Sequence, residues 1–190
     1  KLGYEQNGAA ASLAIKRAKT IYAFIIATID EEYGRQMSRG IQEAANMWKG
    51  YHFEIEMIFT DITAGKDRFR MQMEQFFAVV NTNQVDGVIF SALSKENMDW
   101  VSSVCKKKNI PLMTLDMIYR AGSLCHVGPD YFKLGTYSAA HLASLVMKKG
   151  EILTLNYDEG YELGARRMEG FYHKLKDYPE IVCREEKVER

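Results

Sequence analysis

The sequence predicts an α/β fold: two-lobed, doubly wound parallel sheets, with the second lobe incomplete. Three observations carry that prediction. Short, continuous apolar runs recur along the chain, longer segments of helical period separate them, and the cycle restarts near residue 130. A strand covered by helices on both sheet faces has no polar side, so it reads as an unbroken apolar run rather than an alternation. Right-handed crossovers between such strands wind them into one open parallel sheet.

Ile21 to Ala27 is the first such run and is predicted as a core strand. From Tyr33 to Trp48, the residues Met37, Ile41, Ala44, Ala45 and Trp48 fall at helical spacing and Gly50 supplies a stop, which predicts a crossover helix. The cycle repeats with a strand at Phe53 to Phe59, a helix from Lys66 to Asn81, a buried strand at Gly87 to Phe90 and a helix from Lys95 to Lys108. That helix ends in Lys106-Lys107-Lys108, a solvated cationic end facing the helix dipole rather than a nucleic-acid patch. Pro111 breaks the helix before the strand Leu112 to Leu115. A short apolar piece, Leu124 to Val127, leads through Gly128-Pro129-Asp130 into a helix from Tyr131 to Lys148. A strand at Ile152 to Asn156, a helix at Leu163 to Leu175 and a strand from Ile181 to Cys183 or beyond follow. The charged run Arg184 to Lys187 reads as an unnatural stopping point for the second lobe. The domain reading is therefore a linking segment at 1–18, an amino-terminal lobe at 19–126 and a partial carboxyl-terminal lobe at 127–190.

Composition narrows the function classes. The 190 residues are 47% hydrophobic, enough for a proper core, and 25 basic side chains balance 25 acidic ones. Zero net charge supplies no broad basic face, so affinity for nucleic acid would have to come from a local element or an attached piece. The longest apolar stretch, Ile21 to Ile29, is shorter than the roughly 20 residues a membrane helix needs, so no membrane span is predicted. The start, Lys1 to Asn7, has no apolar signal core and no Met, and reads as a cut inside a longer protein. Three cysteines without CxxC spacing indicate neither a disulfide framework nor a zinc site, and fit a reducing cytoplasm.

Ligands of open α/β sheets sit beyond the carboxyl ends of the strands. The residues there are polar: Thr28, Asp30, Glu31 and Tyr33 after the first strand, Thr60 and Asp61 after the second, Ser91 at the third, Asp116 after the fourth. Hydroxyls, carboxylates and an aromatic on one rim suit a sugar or related polyol. Loop polarity and helix capping explain any single one of these residues better; at Asp116, which no helix start follows, the two readings balance. Arg166 and Arg167 lie in the helix after the sixth strand, where at most one of them can fork onto ligand oxygens and a surface salt bridge is the equal alternative. No GxSxG, P-loop, HExxH or GxGxxG motif is present, the four histidines are scattered, and no cofactor, metal or catalytic residue is predicted.

Several segments, in order, resemble the ligand-sensing repressors of the lactose-repressor and galactose-repressor type, built on the type I periplasmic-binding-protein fold. Leu2-Gly3-Tyr4, Asn7 and Ala10-Ala11-Ser12-Leu13 are similar to that family's link between DNA-reading headpiece and sensor, with Gln6 for the usual Pro and Ala11 for the usual Arg. Val85 to Ile89, Asn109 to Leu112 and Leu115-Asp116 resemble its third and fourth strand surroundings, and His126 to Asp130 its crossing into the second lobe. Arg167-Met168-Glu169-Gly170-Phe171 resembles its Arg-x-x-Gly-Phe signature.

The resemblance implies a cytoplasmic, homodimeric transcription regulator that binds a small-molecule effector between two lobes and operator DNA through a missing headpiece. It implies Asp116 and Arg167 as principal ligand contacts, with Tyr33, Ser91 and Tyr161 as pocket wall, and Ala10, Ser12 and Leu13 as a DNA hinge with Leu13 as the minor-groove wedge. A helix as short as Gly8 to Leu13 is marginal alone and would form only when two copies pack in the groove. A solute-binding protein of a sugar transporter and the sensor domain of a signalling receptor share the same cleft and stand as alternatives; an enzyme comes last.

Overall fold

The computed structural model describes residues 18–26, 32–61, 67–117, 119, 121–157 and 162–188. The chain divides into two compact units, one ending at Val127 and the other beginning at Gly128.

The first unit is built on β1 (Lys19–Ile25), β2 (Phe53–Phe59), β3 (Gly87–Ser91), β4 (Leu112–Leu115) and β5 (Cys125–Val127), in the sheet order β2-β1-β3-β4-β5. Every neighbouring pair is parallel. The connecting helices are α1 (Glu32–Met47), α2 (Asp67–Thr82) and α3 (Lys95–Lys108), with a short 3-10 helix at Lys49–Tyr51. β1 is flanked on both sides and buries Tyr22 to Ile25, whereas the edge strand β2 leaves Glu54 and Glu56 in solvent. β1 starts two residues earlier than its apolar run, because Lys19 and Thr20 pair with Phe53 and Glu54 before the chain dives into the core. Phe24, Phe76 and Phe90 meet at the centre with ring centroids 5.4–5.7 Å apart, all fully buried. Each such ring contributes about 2–3 kcal/mol by leaving water.

Caps fix the helix ends. Ser94 accepts a hydrogen bond from the Asn97 backbone N–H at the start of α3, and Asn109, left-handed at φ 55°, closes its end. In the lysine run that ends α3, Lys108 donates to the Val80 carbonyl of α2 at 3.0 Å, a structural tie.

In the second unit, α4 (Tyr131–Leu145) and α5 (Glu162–Leu175) accompany the parallel pair β6 (Gly150–Tyr157) and β7 (Ile181–Val188). Ala139, Ile152 and Phe171 form its core, with Met168, Ile181 and Cys183 around them. One expectation is corrected here. The helix predicted to run to Lys148 ends at Leu145, since Met147 and Lys148 turn left-handed (φ 52° and 63°) and the Lys148 N–H returns to the Ala143 carbonyl. The charged run Arg184 to Lys187 is an integral part of β7: Arg184 pairs with Glu151, and Glu185 accepts from Tyr172 and Asn156. All four of these side chains are exposed, so the strand carries their charges in solvent.

No helix of the described residues is long and apolar enough to cross a membrane.

Candidate functional site

In the first sheet the strand order reverses between β1 and β3, because the chain leaves β1 for β2 on one side and enters β3 on the other. A crevice opens at such a switch point beyond the carboxyl ends of the strands, and that rim is the candidate site.

Each polar residue on the rim has a distinct standing. Thr60 is fully buried; its N–H donates to the Ile25 carbonyl at 2.9 Å, joining the ends of β1 and β2. Its hydroxyl proton goes to Gln75 Oε1 at 2.7 Å, and Gln75 Nε2 returns to the Phe59 carbonyl at 3.0 Å. Thr60 is thus a latch, the ordinary loop role that its residue type allowed. Ser91 also has no exposed surface, yet its Oγ has no hydrogen-bond partner among the described residues. A buried hydroxyl left unpaired costs roughly 1–3 kcal/mol, so its presence at the switch point calls for a reason.

Asp116 follows β4 directly, at φ 66°. The left-handed region is unusual for a residue with a side chain, though Asp tolerates it better than most. The turn is pinned by the Asp116 N–H on the Val127 carbonyl at 3.0 Å and the Met117 N–H on the Leu115 carbonyl at 2.8 Å. The next described helix begins at Tyr131, so Asp116 is not the N-cap of a helix. Beyond it, Tyr119 straps the loop onto α3: its hydroxyl donates to Asp99 at 2.8 Å, and its carbonyl accepts from Thr114 and Ser123.

A residue that sequence reasoning missed underlies the rim. Gln72 of α2 is fully buried, and its side-chain amide serves the main chain at the end of β3. Nε2 donates to the Ser91 carbonyl at 2.8 Å and Oε1 accepts from the Leu93 N–H at 3.0 Å. Asn97 Nδ2 secures the arrangement, donating to the same Oε1 at 3.0 Å and to the Phe69 carbonyl at 3.1 Å. The available signal was periodicity: Gln72 lies in register with the buried Phe76, Val79 and Val80, a polar residue on a core stripe.

Tyr33 lies in the first turn of α1, about half exposed. In the second unit, the two adjacent arginines of α5 have different surroundings. Arg166 pairs with Glu169 and lies 5.9 Å from the Phe132 ring, whereas the Arg167 guanidinium sits 5.2 Å from the ring of the buried Tyr131. Tyr161, and Ala10, Ser12 and Leu13 of the hinge, lie outside the described residues. No cluster of three or more His, Cys, Asp and Glu side chains that would hold a metal ion occurs among the described residues.

The chain matches the periplasmic binding protein domain family over residues 22–189. Catabolite control protein A of Staphylococcus xylosus is 31% identical over 144 residues, covering 75% of this chain and 40% of that protein. A Bacteroides fragilis structure assigned as a LacI transcriptional regulator superposes with a TM-score of 0.76 at 18% identity, covering 91% of this chain and 60% of the other. A periplasmic solute-binding protein of an Actinobacillus succinogenes ABC transporter, with bound D-allose, gives a TM-score of 0.74 at 20% identity, covering 90% of this chain and 58% of the other. The chain spans about two fifths of the length of the curated relative and about three fifths of each solved structure. With nearly its whole length accounted for by one family model, this chain belongs to the periplasmic binding protein domain family.

Proposed function

We propose that this chain is the effector-sensing domain of a ligand-responsive, DNA-binding transcriptional regulator, and that its effector is a sugar or related polyol. The observation that carries the reading is the 31% identity to catabolite control protein A over 144 residues. The fold alone serves regulator and transport receptor alike, since TM-scores of 0.76 and 0.74 do not separate them.

The rim chemistry supports the effector class. A buried hydroxyl at Ser91 and a carboxylate at Asp116 offer the donor and acceptor pattern that a hydroxyl-rich ring needs. Arg167 is the further contact and Tyr33 and Tyr161 complete the wall. Residues 1–18 form the hinge, with Ala10, Ser12 and Leu13 at the DNA, ahead of the amino-terminal lobe at 19–126 and the carboxyl-terminal lobe from 127. The protein works in the cytoplasm as a homodimer, whose two-fold symmetry reads a near-palindromic operator. Effector binding changes operator affinity only by the difference in its affinity for the two states of the protein.

A gel-shift titration of the full-length protein on near-palindromic DNA, with and without D-allose, D-glucose and D-galactose, tests this reading. A sugar-dependent change in operator affinity is the expected result. Sugar binding without any DNA binding would identify a transport receptor or signalling sensor instead and overturn the regulator assignment.

A further inference from the structure

The geometry points to Gln72 as the positioning residue of the effector site: its side-chain amide acts as the missing strand neighbour for the last residues of β3 and sets where Ser91 presents its hydroxyl. This deepens the proposed function and rests on it only where sugar affinity is measured.

Within a sheet, the main chain is held by the ladder. β3 pairs with β4 up to Ser91↔Leu115, and its pairing with β1 stops one residue earlier, at Phe24↔Phe90. Past Phe90 the β1 side of β3 therefore has no strand partner among the described residues. Gln72 occupies that role with an amide, the same chemical group as a peptide, meeting the Ser91 carbonyl at 2.8 Å and the Leu93 N–H at 3.0 Å. One side chain thus spans the main chain on both sides of Ala92. Both bonds are buried, as is Asn97, which orients the amide by donating to its oxygen. An amide buried this deeply would be costly on a core stripe unless both of its polar atoms were hydrogen-bonded. Here Nε2 has the Ser91 carbonyl and Oε1 has two donors, so both polar atoms are engaged, while the Ser91 hydroxyl next to them has no partner among the described residues. That contrast separates the support from the group it supports: Gln72 fixes the backbone and Ser91 Oγ is left for a ligand.

The test uses the full-length protein with Gln72→Met, which keeps a similar volume without polar atoms, and Gln72→Glu, which keeps the acceptor for Leu93 and Asn97. Amide hydrogen exchange at Leu93 gives a readout independent of any sugar, and D-allose, D-glucose and D-galactose serve as binding probes. Gln72→Met is expected to fold, to speed Leu93 exchange at least tenfold over neighbouring core amides, and to lower affinity for the binding sugar about tenfold. Gln72→Glu is expected to restore Leu93 protection while its carboxyl is protonated and donates to the Ser91 carbonyl, and to lose it when the carboxyl ionises. Unchanged Leu93 exchange in folded Gln72→Met, or loss of protection in protonated Gln72→Glu equal to that in Gln72→Met, overturns the inference. If no sugar binds the wild-type protein, the effector reading fails, while Leu93 exchange still decides whether Gln72 holds the rim.

Discussion

Gly135 of α4 lies directly against the backbone carbonyl of Arg167 of α5, so closely that a Cβ at 135 would collide with that oxygen. The contact is reciprocated one turn along, where a Cβ on Gly170 would collide with the Phe132 carbonyl. Two helices pack at this separation only when small residues face each other, and the packing fixes the backbone that carries Arg167. Gly135→Ala and Gly170→Ala should each destabilise the second unit by about 3 kcal/mol or more, because the obstacle is main chain and cannot swing aside. Urea denaturation followed by hydrogen exchange in β6 measures this; wild-type stability in both variants contradicts the packing.

The aromatic centre of the first unit makes an equally sharp prediction. Phe90 touches both Phe24 and Phe76 and is fully buried. Phe90→Ala should cost about 3–5 kcal/mol in thermal or denaturant unfolding, whereas Phe90→Leu, which refills much of the volume, should cost less than half as much.

The strap behind Asp116 has a pH signature. Hydrogen bonds from Lys95 at 2.7 Å and from Tyr119 at 2.8 Å hold the Asp99 carboxyl below the usual carboxylate range. A folded value below the unfolded one stabilises the fold above the ordinary carboxylate value of about 3.9, and that contribution is lost as pH falls through the folded value. Tyr119→Phe should raise the Asp99 titration midpoint towards the ordinary value, as read by NMR of the carboxyl carbon. No movement of the midpoint would show that Tyr119 does not grip the loop in solution.

How much of this was legible in the sequence follows from what each residue interacts with. The run around Phe24 and the Gly87 to Phe90 segment announced buried parallel strands, and the helix read at Lys66 to Asn81 is α2, which buries Phe76, Val79 and Val80. Asp130 stood at the helix start read at Tyr131 and caps it, whereas Ser94, which caps α3, was not singled out. β7 was half hidden, because Arg184 to Lys187 take strand conformation from pairing with β6, a partner about 30 residues away. Gln72 was hidden for the same reason: its function is defined by main-chain groups 19 and 21 residues along the chain. At Asp116 the sequence marked the residue, but its left-handed backbone arises from a turn pinned to Val127.

That backbone conformation separates stability from binding. At φ 66°, glycine is unstrained, and a β-branched residue is strained. Asp116→Gly should stay within about 1 kcal/mol of wild-type stability and Asp116→Val should lose about 2 kcal/mol, while both lose sugar affinity at least tenfold. Calorimetric unfolding beside sugar titration checks both halves. Full sugar affinity in Asp116→Gly would remove Asp116 from the site.

The most direct measurement concerns Ser91, whose hydroxyl is buried with no partner among the described residues. If that hydroxyl is held for a ligand, Ser91→Ala in the full-length protein should raise unfolding stability by up to about 1 kcal/mol, since a costly buried group is removed. The same variant should lose about tenfold in sugar affinity, close to 1.4 kcal/mol. A Ser91→Ala protein that binds its sugar as tightly as wild type would contradict the account.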